Sequence, residues 1–410
     1  MNRREFIKTS TGYAAYAALG MAVPGMFKKA AAAKAPGDIP AMNETAQAVA
    51  AGNLDEAKRQ LNRMLAGDID AWQVHLSLFA VVQRVLNPPY INPHLPKMYA
   101  IYRYFIPYLT PAEISALVRI EISECTQRPK LEELPLNKEF RSPVSFKDCE
   151  AAIGDQDWEK ATVLLAAFHA RNGGVQLARR LILLGSGYLD RTLGHSISCT
   201  AFILLEMLAR PSQDPWPVLA PLAYYFCRGR LYRTPVLRKS IGPYSNEALH
   251  HYLLQASSGR GIVNLHHTIT VYALEHVRQF FSREEYGHLI SRWIEFMGKK
   301  EVRPVDMNRR VVEPADDYGR FYRLFSRLEP EPVVQSLAGL MTSPQGRRQL
   351  SRFLIKAVCG QYQGNYNAHN LTGLGSALWM VEQFWNQPPI AENALYQYID
   401  FFFGDLKSKS

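Results

Sequence analysis

Histidine is the residue type in this chain whose placement could do chemistry. There are eleven, and seven of them fall between positions 195 and 288. Three settings resemble one another: Leu193-Gly194-His195-Ser196-Ile197-Ser198, Leu265-His266-His267-Thr268-Ile269-Thr270 and Asn367-Ala368-His369-Asn370-Leu371-Thr372. In each, a histidine stands at or near the start of an apolar stretch, with an aliphatic residue two positions on and small or hydroxyl-bearing neighbours. Small side chains let helices approach closely, and histidines projected inward from several helices are how bundles build metal sites. Each ligand must be a neutral imidazole whose other nitrogen is held by an acceptor, for which the Ser and Thr hydroxyls are at hand.

The second setting contains a histidine pair, His266-His267, and a fourth contribution could come from another pair, His250-His251. Adjacent helical residues diverge by about 100°, so one member of each pair would face a common centre. His267 has Val263, Thr270, Val271 and Leu274 on its helical face, while His266 has Ile262 and Ile269. The candidate ligands are therefore His195, His251, His267 and His369. The competing reading is that each is a hydrogen-bonded core histidine with no ligand role. Glu-x-x-His occurs at Glu247–His250 and Glu285–His288, but the second lies in a polar run and suits a solvated helix end better than a di-iron site. No H-E-x-x-H or C-x-x-C-H is present. Lys356, inside the apolar run Phe353-Leu354-Ile355-Lys356-Ala357-Val358, and Tyr366, just before His369, are candidate catalytic groups. A lysine in that position also suits a stem on apolar surface with its head in water.

The elements that must position these residues read as helices. Apolar residues recur at three- and four-residue steps over 53–65, 157–170, 174–184, 197–208, 263–281, 333–341, 348–358 and 371–384, and convincing period-two strands are absent. The fold class is all-α, a large multi-helical bundle-like domain. Prolines punctuate it: 87–96 reads as a loop, and 128–143 as a polar connection that could divide an N-terminal helical subdomain, 36–145, from a histidine-bearing core, 146–410. The pair Asn53-Leu54-Asp55-Glu56-Ala57 and Asp157-Trp158-Glu159-Lys160-Ala161 is a weak internal echo, without the regular period of a solenoid.

The first 35 residues read as an export address. Arg3-Arg4-Glu5-Phe6-Ile7-Lys8 resembles a twin-arginine signal, followed by a mildly apolar stretch too short to span a bilayer and by the small-residue run Ala30-Ala31-Ala32-Ala33-Lys34-Ala35. Cleavage after Ala35 would remove six basic residues and one acid, taking the net charge from +10 to +5. The mature protein is then expected in the periplasm, delivered by the twin-arginine machinery, without stable membrane insertion and with no nucleic-acid partner. The five cysteines are scattered and form no C-x-x-C pair, which excludes a cysteine-rich zinc site. Nucleotide-binding and serine-hydrolase motifs are also absent.

Gly194-His195 with the helix that follows to Glu206, the segment Leu265–Leu274 and the segment Ala368–Leu378 together resemble the questin oxidase-like family, over roughly 154–384. The resemblance implies an all-α fold and a non-haem iron held by histidines from several helices. It also implies an oxygen-using oxidoreductase acting on an aromatic or apolar small molecule. The chain differs from that family's pattern in its export signal and in lacking an H-P-x-x-H segment. The alternative class is a non-enzymatic periplasmic helical binding or assembly protein with structural histidines.

Overall fold

A computed structural model describes residues 40–67, 69–88, 91–132, 143–210, 214–229, 246–298, 314–364 and 368–408, with the side chains of residues 40, 41 and 246–248 excepted. The proposed export signal lies outside these residues. Among them there are twenty α-helices and no sheet; an isolated antiparallel bridge joins Val85 to Lys130. The helices are α1 (Pro40–Ala50), α2 (Leu54–Ala66), α3 (Ala71–Ser77), α4 (Phe79–Gln83), α5 (His94–Phe105), α6 (Pro111–Thr126) and α7 (Phe146–Gly154). Next come α8 (Trp158–Asn172), α9 (Gly174–Ser186), α10 (Leu189–Thr192), α11 (His195–Leu208), α12 (Trp216–Arg228) and α13 (Asn246–Ser258). The last are α14 (Gly261–Val277), α15 (Arg283–Met297), α16 (Tyr318–Phe325), α17 (Pro330–Ala338), α18 (Pro344–Gln361), α19 (His369–Gln383) and α20 (Pro388–Lys407).

Many of these helices begin where a polar side chain can satisfy their free amides. Thr110, Ser145 and Ser282 each accept from the backbone three residues on, and Glu113, Asp148 and Glu285 reach back to the cap amide. The echo pair is the same device used twice: Asn53 accepts from the Glu56 amide at 3.1 Å and Asp157 from the Lys160 amide at 3.0 Å.

The stretch 87–96, expected as a loop, instead ends inside a helix. α5 begins at His94 and carries Pro96 in its first turn. A first-turn residue has no intrahelical acceptor for its amide, so a proline there removes nothing and its fixed φ suits the helix.

One buried apolar cluster runs from Met42 to Phe403 and draws on both sides of the 128–143 connection. Within it α5 packs on α11, α11 on α14, α14 on α19, and α19 back on α5, closing a ring of four helices. A close approach in that ring is at Gly194, whose φ is +77°. A Cβ there would lie 2.1 Å from Thr270 Oγ1 on α14, so no other residue fits.

Candidate metal centre

Each helix of the ring contributes one histidine to a common point. His94, His195 and His369 are the first residues of α5, α11 and α19, and His266 is the sixth residue of α14. His94 Nε2 lies 2.6 Å from His195 Nε2. His195 Nε2 is in turn 3.3 Å from Nε2 of both His369 and His266. The rings of His266 and His369 sit 4.7 Å apart centre to centre, and those of His94 and His369 5.0 Å. Ligand nitrogens of His94, His195 and His369 all fall within 4.8 Å of one another, so these three buried or partly buried histidines stand close enough to bind a metal ion. Nitrogens about 2.1 Å from one ion would be about 3.0 Å apart at right angles and about 3.4 Å apart in a tetrahedron. Two of the three Nε2–Nε2 spacings fall in that interval.

The tautomers sharpen the fit. His195 Nδ1 is 2.6 Å from the Thr192 carbonyl and His266 Nδ1 is 2.7 Å from the Ile262 carbonyl. A carbonyl can only accept, so both Nδ1 atoms carry their protons and both Nε2 atoms are bare. These bare nitrogens face each other at 3.3 Å. Two lone pairs so opposed repel unless a cation lies between them.

That cation is not readily a proton. Burial is the largest cause holding His94, His195 and His369 well below the usual imidazole pKa, and it brings His266 down to about 4. Positive charge on Lys97 adds to the effect at all four. Three of the rings also sit at helix N-termini, where the backbone dipoles disfavour a cationic side chain. The result is a cluster of neutral imidazoles at neutral pH, which is the ligand form.

The second-sphere contacts differ from the expected Ser and Thr hydroxyls. Backbone carbonyls orient His195 and His266, because Thr270 Oγ1 bonds the His266 carbonyl and Thr268 Oγ1 bonds Leu265 O and Gln397. The reversal at Leu193 and Gly194, both with positive φ, is what brings Thr192 O beneath the His195 ring. Asn87 holds His94, its amide 3.1 Å from Nδ1, and Asn87 Oδ1 is buried with no hydrogen-bond partner among the described residues. As drawn, Nδ1 accepts and His94 donates its Nε2 proton to His195. Turning the Asn87 amide over would let Oδ1 accept an Nδ1 proton and bare the Nε2 lone pair. Amide orientation is an assignment, and a His94 that binds metal through Nε2 requires the second one.

Of the histidines singled out in the sequence, His195 and His369 stand in the cluster. His267 does not: it is buried on the next face of α14 with its ring 4.9 Å from that of Phe296, and its carbonyl accepts from Trp293 Nε1. His251 is exposed on α13 against Tyr252, and His250 lies against Phe384. His266 replaces His267 because Thr270 must face the α11 terminus at Gly194, and His266 lies one turn before Thr270. His94 went unrecognised because prolines flank it, although Met98, Ile101, Tyr102 and Phe105 continue its face at helical spacing.

Lys356 is remote from the histidines. Its side chain is part-exposed, paired with Glu113 at 3.5 Å and set over the Tyr318 ring, on the wall of a surface cleft of about 810 Å³. Tyr366 lies outside the described residues, and Tyr362 directs its hydroxyl to Met98 Sδ. Glu285 is committed to Arg179 and to its own helix cap. A second buried pair, His75 Nδ1 to Glu121 at 2.8 Å, is stacked between Trp72 and Tyr99.

No helix among the described residues is long and apolar enough to cross a membrane. Comparison of the chain with protein-family models, with curated proteins and with solved structures returns no match.

Proposed function

We propose that this is an exported, metal-dependent oxidoreductase, in which the imidazoles of His94, His195, His266 and His369 hold one non-haem iron that acts with oxygen on an aromatic or apolar small molecule. The observation that carries the metal reading is the pair of bare, opposed Nε2 atoms of His195 and His266 at 3.3 Å inside a ring of four buried helices. Imidazole donors suit iron, copper, zinc and nickel alike. The choice of iron, and of oxygen chemistry, rests on the resemblance of the segments around His195, His266 and His369 to the questin oxidase-like family. The twin-arginine-like leader supports delivery to the periplasm as a folded protein, after a metal has been inserted.

The chain's own part in such chemistry is positional. Thr192 O, Ile262 O and Asn87 hold three of the rings that would ligate the ion, and the surrounding helices exclude water. A bound iron would supply a site where oxygen and substrate meet.

Metal analysis of natively purified protein without a histidine tag tests the proposal, together with oxygen uptake by the iron-loaded form. About one ion per chain, removed by chelator and restored by ferrous salt, is expected. Metal below about 0.2 per chain with no uptake of any divalent ion would establish the histidines as structural and leave a helical binding or assembly protein.

A further inference from the structure

Lys97 lies on α5 one turn beyond His94, on the same helical face. It is 0% exposed, and its Nζ has no hydrogen-bond partner among the described residues. A buried ammonium carries three donors, and leaving them unmet is costly. Its charge acts on all four imidazoles and on Cys199, one turn beyond His195 on α11, the helix against which α5 packs. Cys199 offers no counter-charge, since burial pushes its thiol up to about 11. The buried carboxylates of α6 and α11 have other partners: Glu206 pairs with Arg103 and Arg210, Glu121 with His75 through one oxygen, and Glu124 with Arg128.

Burial works against the charged form of Lys97; with the lysine charged, four neutral imidazoles, a divalent ion and Lys97 would together place three positive charges and no negative one in a dry interior. That imbalance calls for an anion from outside the chain. We propose that the molecule taken by this site carries an anionic oxygen, a carboxylate or a phenolate, which completes the metal's coordination and pairs with Lys97 Nζ. The inference rests on the metal reading above and narrows its substrate class to an aromatic or apolar body bearing a single negative charge.

Cobalt(II)-loaded full-length protein supplies a test that does not depend on turnover. Its visible absorption is followed during titration with benzoate and with 4-nitrophenolate, each against a neutral counterpart, benzamide and 4-nitroanisole. Wild type, Lys97→Met and Lys97→Arg are compared. At least one anion should bind wild type and lose tenfold or more in affinity in Lys97→Met, recovering in part in Lys97→Arg, with cobalt stoichiometry unchanged. Whichever anion shows that dependence identifies its source as carboxylate or phenolate. Lys97→Met should also raise the melting temperature of the metal-free protein, because it removes an uncompensated buried charge. The proposal is overturned if Lys97→Met binds the anions within twofold of wild type. Neutral compounds binding as tightly as their anions would overturn it too, as would loss of cobalt from Lys97→Met, since the lysine would then be a ligand or a structural prop. Failure of wild type to bind cobalt or iron at all is a separate result, and refutes the metal reading itself.

Discussion

Replacing the clustered histidines one at a time by alanine separates this geometry from the alternative that the sequence settings favour. Four variants, His94→Ala, His195→Ala, His266→Ala and His369→Ala, each remove one nitrogen from the common point, whereas His267→Ala and His251→Ala remove rings directed elsewhere. The useful quantity is the rise in melting temperature on adding metal, because burial makes most of these substitutions destabilising in their own right. Metal at about 100 times its dissociation constant stabilises the native state by about 2.7 kcal/mol. Unfolding entropy near 2.1 cal/mol/K per residue gives roughly 0.8 kcal/mol/K for a chain of this length, so the metal should raise the melting temperature by about 3 to 4 °C. Loss of one ligand should weaken binding by about 100-fold or more, the upper end of what outer contacts cost. At the same metal concentration about 0.4 kcal/mol then remains, a rise of about 0.5 °C. Scanning fluorimetry or calorimetry with and without metal resolves a difference of that size. The reasoning fails if His267→Ala loses the metal-dependent rise while His266→Ala or His94→Ala keeps it.

Asn87→Leu should weaken metal binding by about 10- to 100-fold in a chelator competition, whereas Asn87→Asp, which keeps an acceptor for the His94 Nδ1 proton, should stay near wild type. Equal loss in both would show that Asn87 does not orient His94. Glu206→Gln leaves the guanidiniums of Arg103 and Arg210 without their shared carboxylate and should cost about 3 to 5 kcal/mol in denaturant unfolding. Because Arg103 and Arg210 hold the Glu206 carboxyl down to about 2 against the burial that would raise it, its contribution is present above pH 4.5 and disappears as pH falls from there towards 2. His276, packed among Tyr104, Phe202 and Tyr272, is lowered to about 4 by burial. Between pH 6.5 and about 4 the unfolded chain therefore takes up a proton that the native state refuses, and stability falls as pH is lowered through that window. The full effect is about 3 kcal/mol. His276→Phe should flatten the pH dependence of unfolding free energy by up to about 1.4 kcal/mol per pH unit there, and an unaltered slope would count against the burial argument.

Local features made most of the fold legible. Helical apolar spacing and side-chain caps act within a few residues, which is why the run expected at 157–170 is α8 and that at 174–184 is α9. The boundary misread at 87–96 arose because a proline is tolerated in a first helical turn, and that depends on where the helix starts. The candidate site was legible only in part, through His195 and His369, whose settings at helix starts next to small residues are visible in the chain itself.

The sequence by itself determined that this is an all-α chain, that histidines open several of its helices, and that one residue of each adjacent histidine pair must turn away from any shared centre. Only the tertiary structure decided which ones meet. His94 and His195 are 101 positions apart and His195 and His369 174, and no local pattern encodes such distances. The rotation of α14 that turns His266 inward is set by the close approach of Gly194 to Thr270, a contact between two helices that neither helix specifies alone. Lys97 reads in sequence as one more basic residue. Burial, with no hydrogen-bond partner for its Nζ among the described residues, makes it a costly charge, because the dielectric around an ion is a property of everything packed against it.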